Sequence, residues 1–175
     1  MLDAGNIFLV GPMGSGKSAV GRQLAERLGL EFVDSDEEIE ARTGVDIPYI
    51  FEREGEEGFR LREREVIDLL TRRAGILVAT GGGAILDPET RGRLRCRGCV
   101  VYLRTSVAQQ LARTRGSRNR PLLRSADPRG TLENLMQQRA ALYAEAADLT
   151  VDTDGRRVAT VVEEIARRVA AARSA

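Results

Sequence analysis

The chain has no histidine, and among its 27 basic residues there is one lysine, Lys17; the other 26 are arginine. Without imidazole there is no Ser-His-Asp or Cys-His nucleophile, no His-ligated zinc and no histidine general base. A sequence that uses arginine wherever either cation serves singles out Lys17 as a place where arginine does not serve. Cysteine is nearly as scarce. Cys96 and Cys99 form a C-x-x-C that leads into a predicted strand, whereas redox motifs of this form open a helix, and no further Cys or His exists to complete a zinc site. They read as two reduced thiols without a catalytic role. Long apolar runs are missing too: Ile76–Ala79 and Cys99–Leu103 are far too short to span a bilayer. The start, Met1-Leu2-Asp3-Ala4-Gly5, lacks the basic opening and long apolar stretch of a signal peptide, so the expected compartment is the cytoplasm. Nor is there an excess of one charge. A formal net charge of +1 argues against coating nucleic acid or an anionic membrane as the main task.

The 175 residues show no repeat, linker or composition break, and they suffice for one domain with a real core. Short apolar runs predict strands at Asn6–Val10, Glu31–Asp34, Ile76–Ala79, Cys99–Leu103 and Leu149–Asp152. Amphipathic stretches between them predict helices at Lys17–Leu28, Ser35–Arg42, Glu56–Arg72, Pro88–Leu94, Val107–Arg113 and Thr131–Ala146. A last helix carries Val158, Val161, Val162, Ile165 and Val169 at helical spacing. Strand–helix alternation with nearly continuous apolar strands means a parallel sheet covered on both faces, the α/β class, with ligands at the carboxyl ends of its strands.

Gly11 to Ser18 read G-P-M-G-S-G-K-S, a match to GxxxxGK[ST] between a predicted strand and a predicted helix. Gly14, Ser15 and Gly16 let backbone N–H groups turn inward on phosphate oxygens, and the helix start through Ser18 and Ala19 adds partial positive charge. Lys17 can reach the β- and γ-phosphates, and the Ser18 hydroxyl can coordinate Mg²⁺. The lone lysine also prunes the nucleotide-binding classes. No second lysine exists for the guanine-reading N-K-x-D of small GTPases, and protein kinases need a strand lysine and an H-R-D loop. Motor-type ATPases end an apolar strand in an acid, but Ile76–Ala79 runs into Thr80-Gly81-Gly82-Gly83.

The acidic metal partner is expected in Asp34-Ser35-Asp36, where two carboxylates in extended chain project to one side. One could hold a Mg²⁺ water and the other an acceptor hydroxyl; a helix N-cap at Asp36 is the plainer alternative. Gly81, Gly82 and Gly83 allow a ligand close to the backbone, or form a simple turn. Arg139 falls on the apolar stripe of its helix with Leu132, Met136 and Leu142. An unpaired charge there is costly, so it meets either a structural acid or an anionic substrate group. Arg60 sits similarly near Phe59 and Ile67, with Glu63 one turn on; alone that is an ordinary helix-surface pair. Between Arg113 and Arg129 there are six arginines and one acid, in a polar segment without apolar period. A mobile lid closing on ATP phosphates explains both length and charge, and a solvated or RNA-binding loop is the alternative.

Taken together, GPMGSGKS at 11–18, VDSDEEIE at 33–40, TGVDIPYIFEREGEEGFRLRE at 43–63, ATGGGAI at 79–85, RNRPLL at 118–123 and QQRAALYAEAAD at 137–148 resemble the shikimate kinase family, within the nucleoside monophosphate kinase-like group. The resemblance spans nearly the whole chain. It implies a three-layer P-loop kinase fold with five parallel strands in the order 2-3-1-4-5 and a mobile lid. The implied domain covers 1–175, with a shikimate-binding region at 34–62 and the lid at 114–127. It implies transfer of the ATP γ-phosphoryl group to the 3-hydroxyl of shikimate, with Mg²⁺, by a monomer needing neither nucleic acid nor membrane. By position, Asp36, Arg60, Gly81, Gly82, Gly83 and Arg139 match the shikimate-binding set. Lys17, Ser18 and the lid residue Arg120 match the phosphate and Mg²⁺ machinery, with Asp34 near the metal water, and Arg113 and Arg156 flank the adenine. Two departures are visible: D-S-D replaces the usual D-T-D, and Ala141 stands where proline is frequent. Gluconate kinase, or a nucleotide-binding regulator without catalysis, are the alternatives.

Overall fold

The computed structural model describes residues 5–115 and 123–174. Strands β1 Ile7–Val10, β2 Glu31–Asp34, β3 Ile76–Ala79, β4 Cys99–Arg104 and β5 Leu149–Asp152 pair in parallel in the order β2-β3-β1-β4-β5. The helices are α1 Lys17–Leu28, α2 Ser35–Thr43, α3 Ile47–Thr71, α4 Pro88–Arg97, α5 Val107–Thr114, α6 Pro128–Ala146 and α7 Val158–Ser174, with a short 3-10 turn at Ala84–Leu86. Among the described residues no helix is long and apolar enough to cross a membrane. Cys96 is exposed and Cys99 is buried in β4, with no disulfide between them.

The period-2 alternation of the central strands sorts the core into two layers. Phe8, Val10, Val78, Val100 and Tyr102 face α3, α4 and α6 through Ile67, Leu70, Leu94 and Tyr143. Ile7, Leu9, Leu77, Val101 and Leu103 face α1 and α7 through Val20, Leu24, Val162, Ile165 and Val169. Burial of each such side chain contributes on the order of 1.5–3 kcal/mol.

Several boundaries differ from the sequence reading, α4 running on to Arg97 and α6 starting at Pro128, and two differences have a clear physical cause. The expected first strand starts one residue late because Asn6 is used as a tie. Its side chain donates to the Arg73 and Arg97 carbonyls at 2.7 and 3.3 Å and accepts from the Ile76 N–H at 3.2 Å. The helix expected from Glu56 begins at Ile47, where the Asp46 carboxylate caps the Tyr49 N–H at 2.9 Å and Pro48 occupies the first turn. This helix is broken at Gly55, whose φ of 71° and ψ of −178° interrupt the apolar period.

Candidate active site

At the carboxyl ends of β1, β2 and β3 lies an open cleft of about 470 Å³, lined on the nucleotide side by Gly14, Gly16, Lys17, Ser18, Ala19 and Arg113. Opposite them stand Asp34, Asp36, Gly81 and Gly82. Gly14 and Gly16 hold φ of 76° and 89°, which glycine adopts without steric cost. No side chain caps α1 at Gly16, so its leading N–H groups face the cleft for an anion. Ser15 is buried beneath them, its N–H donating to the Pro12 carbonyl at 3.2 Å. The Lys17 ammonium curls over the loop and donates to the Gly11 and Pro12 carbonyls at 2.7 and 2.9 Å.

Asp34 and Asp36 do not sit two apart in extended chain, as expected, because α2 starts between them. Asp34, not Asp36, is the N-cap: its Oδ1 accepts from the N–H groups of Asp36 and Glu37 at 2.9 and 3.3 Å. Its Oδ2 accepts from the Ser18 hydroxyl at 2.7 Å. Asp36 follows in the first helical turn, and its Oδ1 is buried without a hydrogen-bond partner. Burial, then the Glu63 and Asp34 carboxylates, push the Asp36 carboxyl up to about 7, against the pull of Lys17 and Arg60. Ser35, between the two aspartates, is buried, and its hydroxyl accepts from the Gly81 N–H at 3.1 Å.

The triple glycine lies against four charged side chains. A β-carbon on Gly81 would lie 2.7 Å from Glu63 Oε2 and 2.9 Å from Asp36 Oδ1. One on Gly82 would lie 3.6 Å from Arg139 Nη1, and one on Gly83 2.2 Å from Arg60 Nη2. Backbone conformation is not the reason for glycine here, since none of the three has positive φ; space is the reason at Gly81 and Gly83, while a β-carbon on Gly82 would meet only ordinary contacts. The Gly82 carbonyl is fixed by the buried Tyr143 hydroxyl, and the Tyr143 ring stacks on Tyr102 at 5.1 Å. Burial pushes that hydroxyl up to about 12, so it stays a donor.

Arg60 is held between two acids, Glu63 at 2.8 Å and Glu56 at 3.2 Å, and its Nε is buried without a partner. Burial alone would lower its guanidinium, but Glu63 and Glu56 raise it. Glu63 is itself buried, at 2 % exposure, so Arg60–Glu63 is no surface pair. Burial raises the Glu63 carboxyl against the pull of Arg60 and Arg139. Arg139 on α6 is 3 % exposed. Its charge acts on the Tyr143 hydroxyl, its Nε has no partner, and no acid among the described residues lies within ion-pair distance.

On the nucleotide side, Arg113 and Arg156 meet at one carbonyl. The Arg113 guanidinium donates to Thr153 O at 3.4 Å and to Gly14 O at 3.1 Å, and the Arg156 N–H donates to Thr153 O at 3.2 Å. The Arg156 side chain pairs with Glu164 at 2.8 Å and does not line the cleft. Arg120 and the 116–122 part of the expected lid lie outside the described residues. Glu63, Ser35 and Tyr143 are the site-building residues that sequence reasoning missed. The signal for Tyr143 was its place one turn beyond Arg139 on the same stripe.

The shikimate kinase family model matches residues 13–170. A shikimate kinase of Halorhodospira halophila is 60% identical over 91% of this chain and 90% of its own length. One from Thioalkalivibrio sulfidiphilus is 58% identical over 95% of this chain and 88% of its own. The solved shikimate kinase from Acinetobacter baumannii in complex with shikimate superposes with a TM-score of 0.94 at 49% identity, covering 95% of this chain and 93% of that one. With its phosphate loop, acidic β2 end and triple glycine in the arrangement described above, the chain belongs to the shikimate kinase family.

Proposed function

We propose that the cleft transfers the γ-phosphoryl group of ATP to the 3-hydroxyl of shikimate, the step giving shikimate 3-phosphate on the way to chorismate and the aromatic amino acids. One observation supports it most. Beside the Gly81-Gly82 backbone stand a buried guanidinium without an acidic partner among the described residues, Arg139, and a buried carboxylate oxygen without a hydrogen bond, Asp36 Oδ1. A small molecule with a carboxylate at one end and a hydroxyl at the other satisfies both.

In this assignment Gly14 through Ala19 hold the ATP phosphates, with Lys17 exchanging loop carbonyls for phosphate oxygens. Arg113 and Arg156 flank the adenine. Arg60 and Arg139 hold the shikimate carboxylate, and the narrow Gly81–Gly83 backbone brings the ring against Asp36. The 3-hydroxyl oxygen attacks the γ-phosphorus, its proton passes to Asp36, and the bond to the bridging oxygen breaks to release ADP. Arg120, in the lid at 114–127, adds charge to the transferring group; the acceptor region is 34–62. The Ser18 hydroxyl and Asp34 carboxylate, 2.7 Å apart, are hard oxygen donors that would hold Mg²⁺, Ser18 as a ligand and Asp34 through a water. When bound with ATP, Mg²⁺ neutralises phosphate charge. The protein acts as a cytoplasmic monomer.

The test is coupled ADP release with shikimate, with gluconate and with no acceptor. Release is expected with shikimate alone. Release with gluconate would mean a sibling kinase, and none with either would mean a nucleotide-binding regulator.

A further inference from the structure

The break in α3 at Gly55 divides it into two pieces, 47–54 and 56–71. The first carries Ile47 on the cleft wall, and the second carries Arg60. Gly55 combines φ 71° with ψ −178°, a region that is essentially glycine's alone, and nothing lies within 4 Å of where its β-carbon would be. Conformation, not crowding, therefore requires glycine at 55. Crowding requires it at 58: a β-carbon on Gly58 would stand 2.4 Å from the Glu54 β-carbon. The end of the first piece thus lies directly on the first turn of the second.

Two contacts close over this junction. On the core side the Phe51 and Phe59 rings meet with centroids 4.9 Å apart. On the solvent side the Glu54 carboxylate takes a two-pronged bond from Arg62, from Nε at 2.8 Å and Nη2 at 2.6 Å. In an unbroken helix eight residues span about 12 Å along the axis, so this pairing belongs to the broken form. The ionic pair and the aromatic pair thus bridge the same junction from opposite sides. Phe59 is next to Arg60, whose guanidinium lies 5.2 Å from the Phe59 ring centroid, so a change of angle is felt at Arg60 first.

We propose that Glu54 and Arg62 are positioning residues: by clasping the two pieces of α3 across Gly55 they fix where Arg60 stands relative to the cleft wall, and with it the affinity for the carboxylate-bearing acceptor. This rests on the assignment of Arg60 to the shikimate carboxylate.

The experiment is calorimetric titration with shikimate, together with steady-state kinetics for both substrates. Glu54→Gln and Arg62→Gln should each weaken shikimate binding roughly two- to fivefold, as expected for an exposed but bidentate pair. KM for ATP and kcat at saturation should stay at wild-type values. The charge-swapped double variant, Glu54→Arg with Arg62→Glu, should recover most of the lost affinity. Gly55→Ala should weaken it by about tenfold or more, since alanine does not hold the break. Arg60→Ala is the control. If it leaves shikimate affinity intact, the Arg60 assignment itself is wrong. If it lowers affinity while both single clasp variants bind like wild type, the clasp has no positioning role. A parallel rise in KM for ATP, or a swap without recovery, would equally overturn the proposal.

Discussion

Gly83 faces the guanidinium of Arg60 so closely that a β-carbon on it would stand 2.2 Å from Nη2. The φ of Gly83 is −95°, so alanine there meets no backbone strain and acts on the neighbour alone. Gly83→Ala should push the Arg60 head out of its place between Glu56 and Glu63. The expected result is a loss of shikimate affinity of roughly tenfold or more, as for a disturbed buried charge pair, with ATP affinity retained. Titration with each substrate separately measures it.

Arg139→Ala probes the other guanidinium. It has no acidic partner within ion-pair distance among the described residues, and the buried Glu63, which feels its charge, keeps Arg60 as its bonded partner at 2.8 Å when Arg139 is removed. Melting temperature of the ligand-free protein should hold or rise. Shikimate binding should weaken by roughly 2–5 kcal/mol, the cost of truncating one side of a buried charge pair. A collapse in melting temperature with normal affinity would make Arg139 structural.

Asp34 joins two duties that substitution can separate. Asn keeps a cap acceptor for α2 but loses the charge beside Ser18, so Asp34→Asn should raise the Mg²⁺ concentration needed for turnover and leave the melting temperature unchanged. Asp34→Ala should raise the Mg²⁺ requirement and also lower the melting temperature, with about 0.5–2 kcal/mol lost from the missing cap. Mg²⁺ titration of the rate and thermal melts of both variants distinguish the effects.

The raised Asp36 carboxyl makes a pH prediction of definite sign. In the ligand-free fold it holds its proton up to about 7, against 3.8 as its ordinary value. The folded state therefore binds more protons than the unfolded one between those limits, and the group's contribution to stability falls as pH rises through that window. Asp36→Asn should flatten this part of the melting-temperature profile and stabilise the protein most above pH 7. The kcat/KM for shikimate in the wild type should rise towards a plateau as the carboxyl ionises, with an apparent pKa close to 7. A flat profile from pH 5 to 8 would count against Asp36 as the group that receives the proton.

What could be read in advance was what the chain encodes locally. The strands stood out as apolar runs, and the phosphate loop as a motif with a strand before it and a helix after it. Arg139 was legible because a charge on an apolar stripe contradicts the stripe. Glu63 was not, because spacing from Arg60 describes a surface pair whether or not another element covers it. Its burial is a matter of packing beneath the triple glycine. The first half of α3 was missed because Gly55 resets the helical phase, leaving 47–54 too short to display a period. Asp34 and Asp36 stand out in the sequence as a pair, but the acids after Asp36 suggest the cap there, whereas the structure has it at Asp34. Either residue type caps well, and only the chain path at Ser35 decides.

The two core layers on opposite faces of the sheet bear on how such an enzyme can change. Everything assigned to the acceptor comes from elements packed in one layer: α2, α3, the turn after β3 and α6. The helix that bears Lys17 and Ser18 is rooted in the other, with α7 behind it. The sheet stands between them as a partition. Selection for a new acceptor, natural or in the laboratory, therefore has a single slab to rewrite, while the slab behind the nucleotide is inherited intact. Libraries confined to the first slab should yield altered acceptors with native ATP use.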